Sequence, residues 1–350
     1  MRTCFLVAVL VAGGCGDDPP CDPTTEACTY SAAVSTITVP SGVEDEDTCQ
    51  SWTLNNPTEL WVNSITQNND GAYHHANWFF VPDHNYKLPD GAWPCEANRF
   101  AELEAGLQGG YLFALSTQSL EETQTLPQGA AVRIPPWSRV IGSSHLLNVT
   151  DFDITTTMDI TIRTIPPPQV TAKLAPARIQ YKDLHLDPGK KSSFTTECKL
   201  MEANANLWNE PLEYKLYFTL THYHELGMYQ QLEVLGGPRD GEVIMRHEGH
   251  GDNAGTALDP PFDLVAAGAQ GVRLTCGFNN PRAVPVGWGI GDQEMCVMAL
   301  QATTQIGWVG DVTGGDTVAG VAPNGEVQHR GPCQMQAFPW DFEKEGGKGH

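Results

Sequence analysis

Between residues 61 and 165, short apolar runs alternate with turn residues: 61–65, 78–81, 111–115, 131–134, 140–141 and 158–165. Runs of this length, bounded by Gly, Pro, Asn and Asp, predict strands rather than helices. Only 96–104 reads as a helix, and it is short. Pro166-Pro167-Pro168 interrupts any regular element and places a domain boundary there. The same texture resumes at 170–174, 181–186, 193–201, 212–220, 229–235, 241–246, 272–278, 295–302 and 304–308. The pattern predicts an all-β chain of two β-sandwich domains, 45–165 and 169–335. Residues 16–44, rich in Pro, Thr, Ser and Asp, predict a flexible tether, and 336–350 a disordered tail.

Composition supports this picture. With 35 Gly, 25 Pro and 18% charged residues, the chain favours turns and strands over long helices. A net charge of −22 excludes a nucleic-acid role, which needs a basic face. At the start, Met1-Arg2 precedes an apolar run over 4–12 that is too short to span a bilayer. Ala12-Gly13-Gly14-Cys15 follows, then a polar stretch. Residues 1–15 therefore read as a cleaved signal. The segment resembles a bacterial lipobox with Cys15 lipidated, although Ala12 stands where Leu is usual, so ordinary secretion is the alternative. Either route places the mature chain outside the cytoplasm, with a lipid as its one possible membrane contact. Eight further cysteines, Cys21, Cys28, Cys49, Cys95, Cys198, Cys276, Cys296 and Cys333, imply disulfides in an exported chain.

The candidate chemistry lies in the histidines. Thr221-His222-Tyr223-His224 closes the strand predicted over 212–220, and residues two apart on a strand share a face. His222 and His224 thus suit a metal, or are two surface histidines. His74-His75 is adjacent in sequence, so the pair can act together only at a strand end, a twist or a bulge. His145 sits alone in Gly-Ser-Ser-His-Leu-Leu. Met295, in Glu294-Met295-Cys296, offers a thioether, which suits Cu(I) better than zinc, or else fills core space. His84, His185, His247, His250 and His329 carry no comparable signal.

Together these segments resemble the copper type II, ascorbate-dependent monooxygenases, the family of peptidylglycine α-hydroxylating monooxygenase and dopamine β-hydroxylase. The resemblance runs from about Cys49 to Cys333 and includes Leu186-Asp187-Pro188-Gly189-Lys190 and Arg273-Leu274-Thr275-Cys276. It implies one copper on His74, His75 and His145 for electron transfer. A second copper, on His222, His224 and Met295, would activate O₂. It also implies a solvent-filled cleft between the two, reduction by ascorbate or another reductant, and disulfides Cys49–Cys95, Cys276–Cys296 and Cys198–Cys333. Cys21–Cys28 would be an addition of this chain. The expected fold is all-β: two antiparallel jelly-roll-like β-sandwich domains packed side by side, each carrying one copper site.

The resemblance thins at the substrate. The peptide-hydroxylating members anchor a carboxylate at positions occupied here by Leu220, Val297 and Ala299. These residues predict a less charged, more apolar small molecule and argue against peptidylglycine. The alternatives are a non-catalytic copper-binding or storage protein and a surface-binding β-sandwich with incidental histidines. The sequence does not specify an oligomeric state.

Overall fold

The computed structural model describes residues 21–115, 119–207, 211–249, 255–289, 291–343 and 345–347. The lipobox and Cys15 lie outside the described residues.

The first half contains β1 (Thr29–Val39), β2 (Glu44–Thr53), β3 (Leu60–Asn69), β4 (Tyr73–Pro82), β5 (Gly91–Pro94), α1 (Glu102–Gln108), β6 (Gly110–Leu115), β7 (Glu121–Thr125), β8 (Ala130–Ile134), β9 (Ser138–Leu147), β10 (Ile154–Thr164) and β11 (Ala172–Lys173). These strands form two facing sheets, β1-β10-β3-β8-β11 with β7 also on β3, and β5-β2-β9-β4-β6. Trp78, Phe80 and Phe113 from one sheet meet Ile65, Ile160 and Ile162 from the other in a closed core. Trp78 is fully buried beneath Gly142, where a Cβ would lie 2.6 Å from the indole ring. Gly142→Ala should therefore cost about 1–3 kcal/mol by overpacking, read as a shift in the denaturation midpoint. An unchanged midpoint would refute that tight contact.

The second half contains β12 (Ala175–Tyr181), β13 (His185–Leu186), β14 (Lys190–Cys198), α2 (Leu200–Leu207), β15 (Lys215–His222), β16 (Gly227–Leu235), β17 (Val243–Glu248), β18 (Gly255–Asp263), β19 (Gly271–Asn280), β20 (Val286–Gly287), β21 (Val297–Thr303), β22 (Ile306–Val312), β23 (Thr317–Val321), β24 (Val327–Pro332) and β25 (Gln334–Pro339). Sheet β18-β15-β21-β12-β22-β25 faces sheet β17-β16-β19-β14-β24-β23. Ile179, Met298, Leu300 and Trp308 pack against Phe194, Leu232, Leu274 and Phe278 between them. The architecture is the all-β pair of sandwiches that the pattern predicts. Pairing is mostly antiparallel; β8/β11, β12/β22 and β14/β24 are parallel. All four disulfides form, Cys21–Cys28, Cys49–Cys95, Cys198–Cys333 and Cys276–Cys296.

Several boundaries differ from expectation. The tether assigned to 16–44 contains β1, which pairs with β10 along its length. Its small and β-branched residues bury Val34 and Val39, while Ser31, Thr36 and Thr38 bond threonine hydroxyls of β10 on the outer face. The tail assigned to 336–350 carries regular structure at its start. There β25 pairs with β22, and beyond it Gly347 donates to the Pro136 carbonyl of the first domain. The domain boundary falls a few residues later than the prolines, because Ala172–Lys173 pairs with Ala130–Ala131 of the first domain. The helix expected over 96–104 begins at Glu102, and the end of the run over 193–201 turns into α2. Asn148, within a glycosylation sequon, is 1% exposed and donates to the Val39 and Phe152 carbonyls.

Candidate metal centre and adjoining cavity

Two β-bulges build the site. On β4, the register with β9 shifts between Tyr73 and His75, and His75 then lies directly opposite His145. A bulge places an extra residue against one partner and re-aims the strand. The adjacent imidazoles of His74 and His75 can thereby converge, with ring centroids 5.4 Å apart. On β15, the register shifts between Leu216 and Phe218. Leu216 points into the second core, whereas Phe218 and Leu220 point out of it, into an apolar seam with Ala114 of the first domain. The run over 212–220 therefore has two buried faces rather than one. His222 ends β15, and His224 lies beyond it in the following turn, so the pair straddles a strand end.

Contrary to the expected solvent-filled cleft, the histidines of the two domains meet. Ring centroids lie 4.8 Å apart for His74–His145, 5.0 Å for His75–His145, 5.1 Å for His74–His224, 5.0 Å for His75–His222 and 5.3 Å for His222–His224. His74, His75 and His224 present ligand nitrogens within 4.8 Å of one another, a set that neither expected site contains by itself. An apolar seam of Phe218, Leu220 and Ala114 packs the two domains together close to His222.

The surroundings set the tautomers. His145 Nε2 lies 2.9 Å from Glu44 Oε1, and its buried Nδ1 has no hydrogen-bond partner. His224 Nδ1 is 2.8 Å from the Gln293 carbonyl and so donates to it, directing Nε2 inward. His75 Nε2 is also buried without a hydrogen-bond partner. Burial first, and then the other four imidazoles, hold the His75 pKa well below the usual range, so this ring is neutral and able to ligate.

Glu294 ties the second ligand set together. It is 1% exposed, and its carboxylate accepts backbone N–H groups from His224 at 2.9 Å, Leu226 at 2.6 Å and Met295 at 3.3 Å. Burial, partly offset by those bonds, pushes its carboxyl up to about 7. Cys296, next to Met295, is bonded to Cys276 on β19.

A cavity of about 280 Å³ adjoins the cluster and is lined by His75, His222 and Met295 at one end. Strand register explains the rest of its floor. Leu220, Ala299, Arg178 and Val309 lie side by side across β15, β21, β12 and β22, and His222, Val297 and Gln180 form the next row. All of them line the cavity, including the three residues expected at the substrate. Leu103 and Leu107 of α1 and Tyr111 of β6 form the facing wall. Arg178 and Tyr111 went unnoticed in the sequence because only strand pairing and domain packing bring them here. Glu102 lies 4.0 Å from Arg178 and accepts from Asn77 at 3.0 Å. Tyr111 Oη and Arg178 Nε are buried without a hydrogen-bond partner. Burial, followed by Glu122 and Glu102, raises the Tyr111 pKa well above its usual value, so the phenol stays a donor.

No family model and no curated protein matches the sequence. Among solved structures, the chain is similar to the major capsid protein P2 of bacteriophage PM2, at 8% identity and a TM-score of 0.31 over 79% of this chain and 98% of that one. It is also similar to N-glycanase F (PNGase F), at 8% identity and a TM-score of 0.28 over 77% of this chain and 95% of that one.

Proposed function

We propose that this chain is a copper-dependent monooxygenase of the ascorbate-dependent type II family, acting outside the cytoplasm on a small, largely apolar substrate. The observation that carries this reading is the convergence of five imidazoles beside an apolar cavity that is lined by His75, His222 and Met295. The ligand set fits copper. His74, His75 and His145 offer an all-nitrogen site, and His222, His224 and Met295 a mixed site whose soft sulfur favours Cu(I). The orphaned His75 Nε2 and His145 Nδ1 are buried polar atoms of the kind that normally have a partner. Copper held there would supply one-electron redox chemistry and O₂ activation.

The net reaction is R–H + O₂ + 2e⁻ + 2H⁺ → R–OH + H₂O, with ascorbate or a similar reductant supplying both electrons. The protein binds and orients the substrate. Leu220, Val297, Ala299, Leu103 and Leu107 would contact its carbon body, with Tyr111 and Arg178 among the polar groups of the lining. The Arg178 charge is offset by Glu102, so a free carboxylate gains little there. A non-catalytic copper-storage role would need the imidazoles alone; the apolar cavity against His222 and Met295 favours catalysis. Four disulfides fit an oxidising compartment, and no helix among the described residues is long and apolar enough to cross a membrane. Lipidation at Cys15 of a bacterial envelope protein belongs to the same reading.

The test is to load the protein anaerobically with Cu(I), add ascorbate, and screen apolar compounds under ¹⁸O₂ for a one-oxygen mass gain. The expected result is two coppers per chain and label in the product. A glycine-extended peptide should be a poor substrate; its efficient hydroxylation would overturn the substrate assignment. Tight binding of two coppers without product or reductant-driven O₂ uptake would favour storage.

A further inference from the structure

We propose that His185, Asp316 and His329 form a third metal site, for a divalent cation of the zinc type, on the second domain. The inference does not depend on copper at the domain seam. The three residues come from separate elements: His185 from β13, His329 from β24, and Asp316 from the turn entering β23. Their ligand atoms lie within 4.8 Å of one another. His329 Nδ1 is 2.7 Å from Asp316 Oδ2, and His185 Nε2 is 3.3 Å from the same oxygen. Tetrahedral zinc with bonds of about 2.0–2.1 Å separates its ligand atoms by about 3.3 Å, so only small side-chain shifts are needed.

The surroundings have the features of a supported ligand set. Tyr181 donates its hydroxyl to Asp316 Oδ1, leaving Oδ2 for the cation. The Phe194 ring stacks on His329 at a centroid distance of 4.4 Å and fixes its plane. Asp183 accepts the Asp316 backbone N–H at 3.0 Å and adds negative charge. His329 and Asp316 are buried, with side chains 5% and 3% exposed, whereas His185 is 51% exposed. The cation would therefore have three protein ligands and one solvent-facing position. Imidazole, imidazole and carboxylate in a borderline-hard set suit Zn²⁺.

The experiment uses the full chain, with Zn²⁺ as the ligand and Co²⁺ as its spectroscopic probe. Bound metal is counted after equilibrium dialysis in wild type, Asp316→Asn and His185→Gln, and in His75→Ala as a control at the seam. One equivalent should disappear in Asp316→Asn and bind at least ~100-fold more weakly. The same equivalent should weaken in His185→Gln, persist in His75→Ala, and give the d–d absorption of tetrahedral Co²⁺. His185 is largely exposed, so its replacement leaves the core intact and keeps the test open if Asp316→Asn misfolds. Equal zinc content in wild type and both second-domain variants would overturn the proposal and leave a hydrogen-bonded His-Asp-His clamp.

Discussion

Met295→Leu should reduce ascorbate-driven O₂ consumption by more than ~100-fold while the all-histidine set keeps its copper. Losses of that size follow even from removing groups that only support a ligand, and here a ligand itself is removed. Leucine matches methionine closely in volume and apolarity, so the exchange should cost less than ~1.5 kcal/mol of stability. Sulfur is the one property removed. Met295 lines the cavity beside His222, so both copper affinity and position relative to substrate are at stake. Copper content, O₂ uptake and the denaturation midpoint, measured on one preparation, separate the effects. Activity within about threefold of wild type would remove Met295 from the proposed site.

Glu294→Ala should destabilise the protein by about 2–6 kcal/mol, because two buried N–H donors each lose an acceptor at about 1–3 kcal/mol and a third, half-buried one adds less. The donors belong to His224, Leu226 and Met295, so the same change frees the turn carrying His224 from the residue carrying the thioether. Copper at the mixed site should weaken together with stability. Glu294→Gln retains one acceptor oxygen and should lie between wild type and alanine in both measurements. If alanine and wild type unfold at the same denaturant concentration, the carboxylate does not hold the turn. The disulfide at Cys296 anchors the other side of Met295, so Glu294→Ala should leave that residue held from one side only.

Much of this arrangement was legible in the sequence, for identifiable reasons. Apolar alternation located the central strands because each has a face in a core. Strand geometry called for a strand end, a twist or a bulge at His74-His75, and the register shift between Tyr73 and His75 supplies one of these. Three disulfide pairings came from the resemblance, the fourth, Cys21–Cys28, was expected as an addition of this chain, and all four are present. What was not legible depends on nonlocal packing. The bulge in β15 turns Phe218 and Leu220 towards the other domain, and alternation alone assigns them to the same face as Leu216. Contact between His74 and His224, 150 positions apart, is a property of the domain seam and not of either segment. β1 was missed because its Thr and Ser content reads as loop, although those hydroxyls pair across strands. His185 and His329 carried no local signal because Asp316 reaches them through the fold.

The return of the chain end bears on how the two sandwiches can move. A single connector around 165–175 would leave the domains free to swing and twist about one pivot. Trp340 donates to the Gln305 carbonyl in the second domain, and Gly347 donates to Pro136 and Trp137 in the first, so the chain crosses the junction twice. Lys173 and Glu343, 3.5 Å apart, set the two crossings side by side. Two adjacent pins act as a hinge with a defined axis: opening by rotation about the line between them stretches neither, whereas twisting across that line strains both. Proteolytic removal of the last residues should therefore release twisting before it releases opening.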